Sequence, residues 1–147
     1  MSVTTKANAR WEGSLKDGKG VMRLPSGTYE GPYTVKSRFE SGASRENGTN
    51  PEELIGAALA GCYSMYLASI LTKAGHTPDH VDTEASVQMD TTDSGPVISK
   101  SVLKVRVKAQ GLDDETLQAK AQEAARDCPV SKALASVEKT VEASLAG

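Results

Sequence analysis

From Leu54 to Leu71 the chain runs for eighteen residues without a charge, and no other stretch limits the fold as much. Both ends of the run carry helix punctuation. Asn50 stands where an N-cap belongs, Pro51 at the first helical position and Glu53 at the third, the logic of a capping box with asparagine in place of serine or threonine. Gly75 supplies a C-terminal stop. The predicted helix runs from Pro51 to about Ala74, a length of about 35 Å, so it dominates a chain of 147 residues. An uncharged run this long also reaches the length of a membrane span. Gly56, Ala57, Ala58, Gly61, Cys62, Ser64 and Ser69 make it only weakly apolar, however. A helix that is small or apolar on all sides is read as the central helix of a soluble core, with no membrane partner.

The remaining elements arrange themselves around that helix. Ala7, Ala9 and Trp11 alternate with polar positions, Asp17-Gly18-Lys19-Gly20 marks a turn, and Val21 to Leu24 reads as a second strand. Pro25-Ser26-Gly27 turns the chain towards Tyr33, Val35 and Phe39, again at period two. Beyond the helix, Val81 to Met89 and Leu103 to Ala109 form the arms of a hairpin around Asp93-Ser94-Gly95-Pro96. Asp113 caps a second helix whose Leu117, Ala121, Ala124, Ala125 and Cys128 form one apolar stripe, and Pro129 ends or disturbs it. Val137, Val141, Ala143 and Leu145 close the chain as a strand. The expected class is α+β in the order βββ-α-ββ-α-β, as a single domain over residues 1–147.

A net charge of −2 and a pI near 5.7 argue against a nucleic-acid partner. The nearest approach to a basic stripe is Lys100, Lys104, Arg106 and Lys108, and its alternation with Leu103, Val105 and Val107 reads as the wet face of a half-buried strand. The N-terminus has no apolar segment of the secretory kind. With two cysteines and no CxxC, the expected location is cytoplasmic. His76 and His80 are four apart, but Pro78 between them favours a loop over a metal-binding helix face. No phosphate-binding loop, dinucleotide fingerprint or nucleophile elbow is present.

Chemistry is left to Cys62, inside the long helix, and Cys128, before the proline. Either one alone reads as a small buried hydrophobe. Together they suit a peroxide cycle, in which a thiolate becomes a sulfenic acid and a second thiol resolves it to a disulfide. Cys62 lies about eleven residues inside its helix, beyond the reach of that helix's N-terminal field, so a cation is wanted beside it. Arg38 and Arg45 are nearest in sequence, and Arg38 is preferred because a strand is expected to hold it. Glu52 and Glu53 favour the first helical turn in any case. For Glu52 to orient a cation at Cys62, two antiparallel copies of the helix must cross near Ala57, because the two residues are about 15 Å apart along one helix. The small residues Gly56, Ala57, Ala58, Ala60 and Gly61 allow that approach in a two-fold dimer.

The segment TNPEELIGAALAGCYSM, residues 49–65, resembles the helix that carries the peroxidatic cysteine of the OsmC/Ohr family, and CPVSKAL, residues 128–134, resembles the segment with its second cysteine. Trp11-Glu12-Gly13, Arg38-Phe39 and Gly48-Thr49-Asn50-Pro51 look like the OsmC branch. The resemblance implies an intertwined homodimer with two long helices at its centre, and a thiol-dependent peroxidase acting on organic hydroperoxides and more weakly on hydrogen peroxide. It implies Cys62 as nucleophile, Cys128 as resolving thiol, and Arg38 and Glu52 as organisers of the site. The reductant implied is a dithiol of the dihydrolipoyl type, borne by a lipoylated protein or free, with no bound metal or flavin. Gly61 and Tyr63 depart from the family's usual alanine and phenylalanine, and Tyr63 would add a hydroxyl to an apolar pocket around Leu59, Met65 and Tyr66, residues that core packing also explains. A redox sensor or a ligand-binding stress protein on the same fold is the alternative, and steady-state peroxide turnover with a dithiol separates the three.

Overall fold

The computed structural model describes all residues, 1–147. The class is α+β, with two three-stranded sheets and one long helix. The chain divides into two compact units, 1–54 and 55–147.

The first unit is an antiparallel meander of β1 (Asn8–Glu12), β2 (Lys19–Leu24) and β3 (Tyr29–Tyr33). Trp11 of β1 and Tyr33 of β3 meet across β2 with ring centroids 5.3 Å apart. They can do so because residue 20 between them is glycine: a Cβ there would lie 2.4 Å from the Tyr33 ring and 2.8 Å from Trp11.

The third strand does not continue to Phe39 as its alternation suggests. Thr34 and Ser37 cap each other's backbone N–H groups, Ser37 N donating to Thr34 Oγ1 at 3.2 Å and Thr34 N to Ser37 Oγ at 3.0 Å. Such local side-chain bonds compete with a sheet ladder. Here they start a π-helical turn over Lys36–Glu40. Arg38 therefore sits on a helical turn and not on a strand.

Helix α1 (Pro51–Lys73) follows. Asn50 Oδ1 accepts from Glu53 N at 2.8 Å, which is the expected cap, while the Glu53 carboxylate bonds the Thr49 hydroxyl and not the Asn50 N–H of a complete box. At the other end Gly75, at φ +90°, donates to Thr72 O and His76 N donates to Leu71 O, the paired bonds of a Schellman stop. By length and composition α1 could cross a membrane. Its Leu59, Tyr63, Leu67, Ile70 and Leu71 are instead buried in a protein core.

That core belongs to the second unit. β4 (Pro78–Thr92) and β5 (Gly95–Ala109) form a long hairpin whose two-residue loop is Asp93-Ser94. β6 (Glu138–Leu145) adds to β5 in parallel. A parallel neighbour needs a crossover connection, which is supplied by α2 (Asp114–Asp127) and the short α3 (Pro129–Ala133). Asp113 caps α2 through Thr116 N at 2.8 Å. On β5 the residues Ser101, Leu103, Val105 and Val107 are buried, and Lys104, Arg106 and Lys108 are exposed. Glu84 and Glu142 flank Lys104 on the two neighbouring strands and Asp82 stands opposite Arg106, so the basic alternation is a neutralised solvent face. Leu117, Ala121, Ala124 and Cys128 of the α2 stripe close over the core.

Candidate active site

The four residues singled out from the sequence fall into two pairs, one in each unit. The first is Arg38 with Glu52. Asn50 brings them together, because its side chain works at both ends. Oδ1 caps α1, and Nδ2 donates at 2.8 Å to the carbonyl of Ser37 on the π-helical turn. Ser37 Oγ donates in turn to Thr49 O at 2.8 Å. The turn is thereby fastened to the start of α1, and Arg38 lies over Glu52. Arg38 Nε and Nη2 both reach Glu52 Oε1, at 3.2 and 2.9 Å. The carboxylate side chain is 9% exposed and that of Arg38 37%. Glu52 Oε2 is buried without a hydrogen-bond partner, which leaves an acceptor available. Arg38 also lies over the Phe39 ring, 5.1 Å from its centroid.

The second pair is Cys62 with Cys128, both free thiols. Cys62 is partly buried on α1 and packs against the core to which Cys128, fully buried, belongs. Sixty-six positions apart in sequence, they meet because α2 ends at Asp127 and Cys128 turns extended before Pro129 (φ −64°, ψ 142°), which starts α3 with Cys128 as its N-cap. The first turn of α3 then aims backbone N–H groups at both sulfurs. The Val130 N–H faces the Cys62 thiol, and Ser131 N–H donates to Cys128 Sγ at 3.4 Å. The Cys128 thiol also donates to Ser131 Oγ at 3.0 Å. Burial pushes the Cys62 thiol above its ordinary value of 9.0; the Val130 N–H works against this, and the neighbouring Cys128 thiol adds to the rise. The N-terminus of α1 lies too far from Cys62 to act on it. The N–H facing Cys62 comes from the start of α3, and the only signal for that in the sequence is Cys128-Pro129, an N-cap followed by a proline at the first helical position.

Tyr63 does not enter a substrate pocket. It is fully buried, and its hydroxyl donates to Ala121 O on α2 at 3.1 Å. Leu59 is likewise sealed in the core, whereas Met65 is 77% exposed and Tyr66 only borders the core, so the three do not line one pocket. His80 is the third residue of β4 and faces Asp82 at 3.3 Å, and His76 lies against Gln110 O on a loop.

This α+β frame has known counterparts. Residues 42–143 match the family described as OsmC-like protein. The chain belongs to that family. It is 45% identical over 135 residues to Peroxiredoxin OsmC of Escherichia coli, covering 91% of this chain and 92% of that one. Its fold is shared by the organic hydroperoxide resistance protein of Elizabethkingia anophelis, with a TM-score of 0.76 at 20% identity over 99% and 100% of the two chains. It is shared too by OhrB of Bacillus subtilis, with a TM-score of 0.70 at 23% identity over 95% and 98%. The OsmC-like family thus accounts for the expected element order, including the helix that bears Cys62.

Proposed function

We propose that this OsmC-like chain is a cysteine-based peroxidase that reduces organic hydroperoxides, and hydrogen peroxide more weakly, to alcohols or water. The adjacency of Cys62 and Cys128 at the first turn of α3 carries the reading. The 45% identity to a protein named a peroxiredoxin supports it. As thiolate, Cys62 attacks the distal peroxide oxygen; an alcohol leaves, and the sulfur becomes a sulfenic acid. Cys128 condenses with that acid, releasing water and forming the Cys62–Cys128 disulfide. A dithiol of the dihydrolipoyl type, free or on a lipoylated protein, restores both thiols by exchange.

The thiolate needs a positive neighbour, since burial alone works against it. Arg38, oriented by Glu52, is that cation. The 15 Å or so between positions 52 and 62 along one helix points to a homodimer in which antiparallel α1 helices bring Glu52 and Arg38 of one chain to Cys62 of the other. The exposed small residues Ala57, Ala58 and Gly61 suit such a crossing. In this reading the two units act as one domain, in the cytoplasm.

The test is peroxide turnover with dihydrolipoamide, comparing cumene hydroperoxide with hydrogen peroxide, in the wild type and in Cys62→Ser. Turnover that favours the organic peroxide and vanishes in the variant is expected. A wild-type chain with free thiols and no turnover with any dithiol would overturn the peroxidase in favour of a redox sensor or binding protein.

A further inference from the structure

Cys128 is fully buried, so the proton it must lose in the resolving step has no direct path to water. One side chain stands beside that proton. The Cys128 thiol donates to Ser131 Oγ at 3.0 Å, while the Ser131 backbone N–H donates to the same sulfur at 3.4 Å. Ser131 is itself 3% exposed, but it helps line an open depression of about 550 Å³ bordered by Arg126, Lys132 and Lys139. Lys139 rises from β6, and its ammonium is fastened to the carbonyls of Leu134 and Val137 just beyond α3. The three cations have no lone pair to accept a proton, whereas a hydroxyl both accepts and donates. Ser131 is the group that both bonds the buried thiol and lines the depression.

We propose that Ser131 is a catalytic residue of the resolving step: its hydroxyl takes the Cys128 proton and passes its own to water in the depression, while its backbone N–H holds the attacking sulfur. The inference rests on the peroxidase reading above. The S–H bond of Cys128 breaks, and its electron pair forms the bond to the Cys62 sulfur. The S–O bond of the sulfenic acid breaks, and hydroxide leaves with the bonding pair and takes a proton from water. One sulfenic acid and one thiol give one disulfide and one water. The Cys62 sulfur is reduced, the Cys128 sulfur is oxidised, and no outside oxidant or reductant is consumed.

A single-turnover experiment without dithiol tests the assignment. The reduced chain is mixed with one equivalent of cumene hydroperoxide. Sulfenic acid at Cys62 is trapped with dimedone and measured by mass spectrometry, and the disulfide is followed by loss of free thiol. The wild type, Ser131→Ala and Ser131→Thr are compared, with the wild type also in D2O. Sulfenic acid is expected at the same rate in all three chains. Its conversion to disulfide should slow at least about tenfold in Ser131→Ala, recover in Ser131→Thr, and slow in D2O for the wild type. Conversion at the wild-type rate in a folded Ser131→Ala chain overturns the proposal. If that variant does not fold, absence of a solvent isotope effect on wild-type conversion overturns it equally. Absence of any trapped sulfenic acid or disulfide in the wild type is a different result, and it removes the peroxidase reading itself.

Discussion

Arg38 places two N–H donors on a single oxygen of Glu52, at 3.2 and 2.9 Å, and leaves the second carboxylate oxygen buried without a partner. A carboxylate can accept a bidentate arginine on both oxygens. Here one buried oxygen stays unpaired, which is uncommon for a buried polar atom. Substituting Glu52→Gln keeps the size of the side chain and removes its charge. Arg38 then loses its orientation, and kcat/KM for cumene hydroperoxide is expected to fall by about a hundredfold, the usual cost of a slightly misplaced catalytic group. Steady-state kinetics decide it; an unchanged kcat/KM would take the pair out of the reaction.

Asn50 offers a way to separate helix capping from placement of Arg38. In Asn50→Asp the cap to Glu53 N survives, because Oδ1 is retained, but the Nδ2 donation to the buried Ser37 carbonyl is lost. The expected cost is about 1–3 kcal/mol for the acceptor left unpaired. Asn50→Ala loses the cap as well, by about 1 kcal/mol more. Urea unfolding of both variants measures this. Peroxide turnover should already be reduced in Asn50→Asp, because the turn bearing Arg38 is no longer clamped.

Alkaline pH should destabilise the fold through Tyr63 on α1. Burial, and then the proximity of Cys128, push its phenol well above the ordinary value of 10.0. The folded chain therefore binds this proton more tightly than the unfolded chain does. The stability it contributes is complete below the unfolded value and is lost as pH rises through 10 towards the folded one. Urea midpoints measured from pH 7 to 11 should fall across that window. Tyr63→Phe should cost about 1 kcal/mol at neutral pH, for the hydrogen bond to Ala121 O, and should show a shallower decline above pH 10. An identical decline would place the alkaline transition elsewhere.

The pattern-bearing elements were legible in the residues because their signals are local. The cap at Asn50, the uncharged run and Gly75 delimit α1, and two-residue alternation with turn residues delimits the long hairpin. The alternation of Lys104, Arg106 and Lys108 with Leu103, Val105 and Val107 assigns the two faces of β5. Period-two alternation does not mark a strand where a local hydrogen-bond pattern overrides it. Thr34 and Ser37 cap each other and end β3 six residues before Phe39. Nor does residue type alone give the environment of Tyr63, whose hydroxyl is spent on the buried carbonyl of Ala121.

By itself the sequence determined the α+β class, the long helix and the places of both cysteines, since each depends on residue type and short spacing. Only the tertiary structure decided what surrounds them. That α3 turns its first N–H groups on both sulfurs depends on a parallel crossover returning Cys128 to α1 across 66 positions. That Arg38 rests on one oxygen of Glu52 depends on Asn50 joining two segments thirteen residues apart. Long-range pairings of this kind are set by packing and by the need to satisfy buried polar groups, and neither is written into the spacing of any single segment.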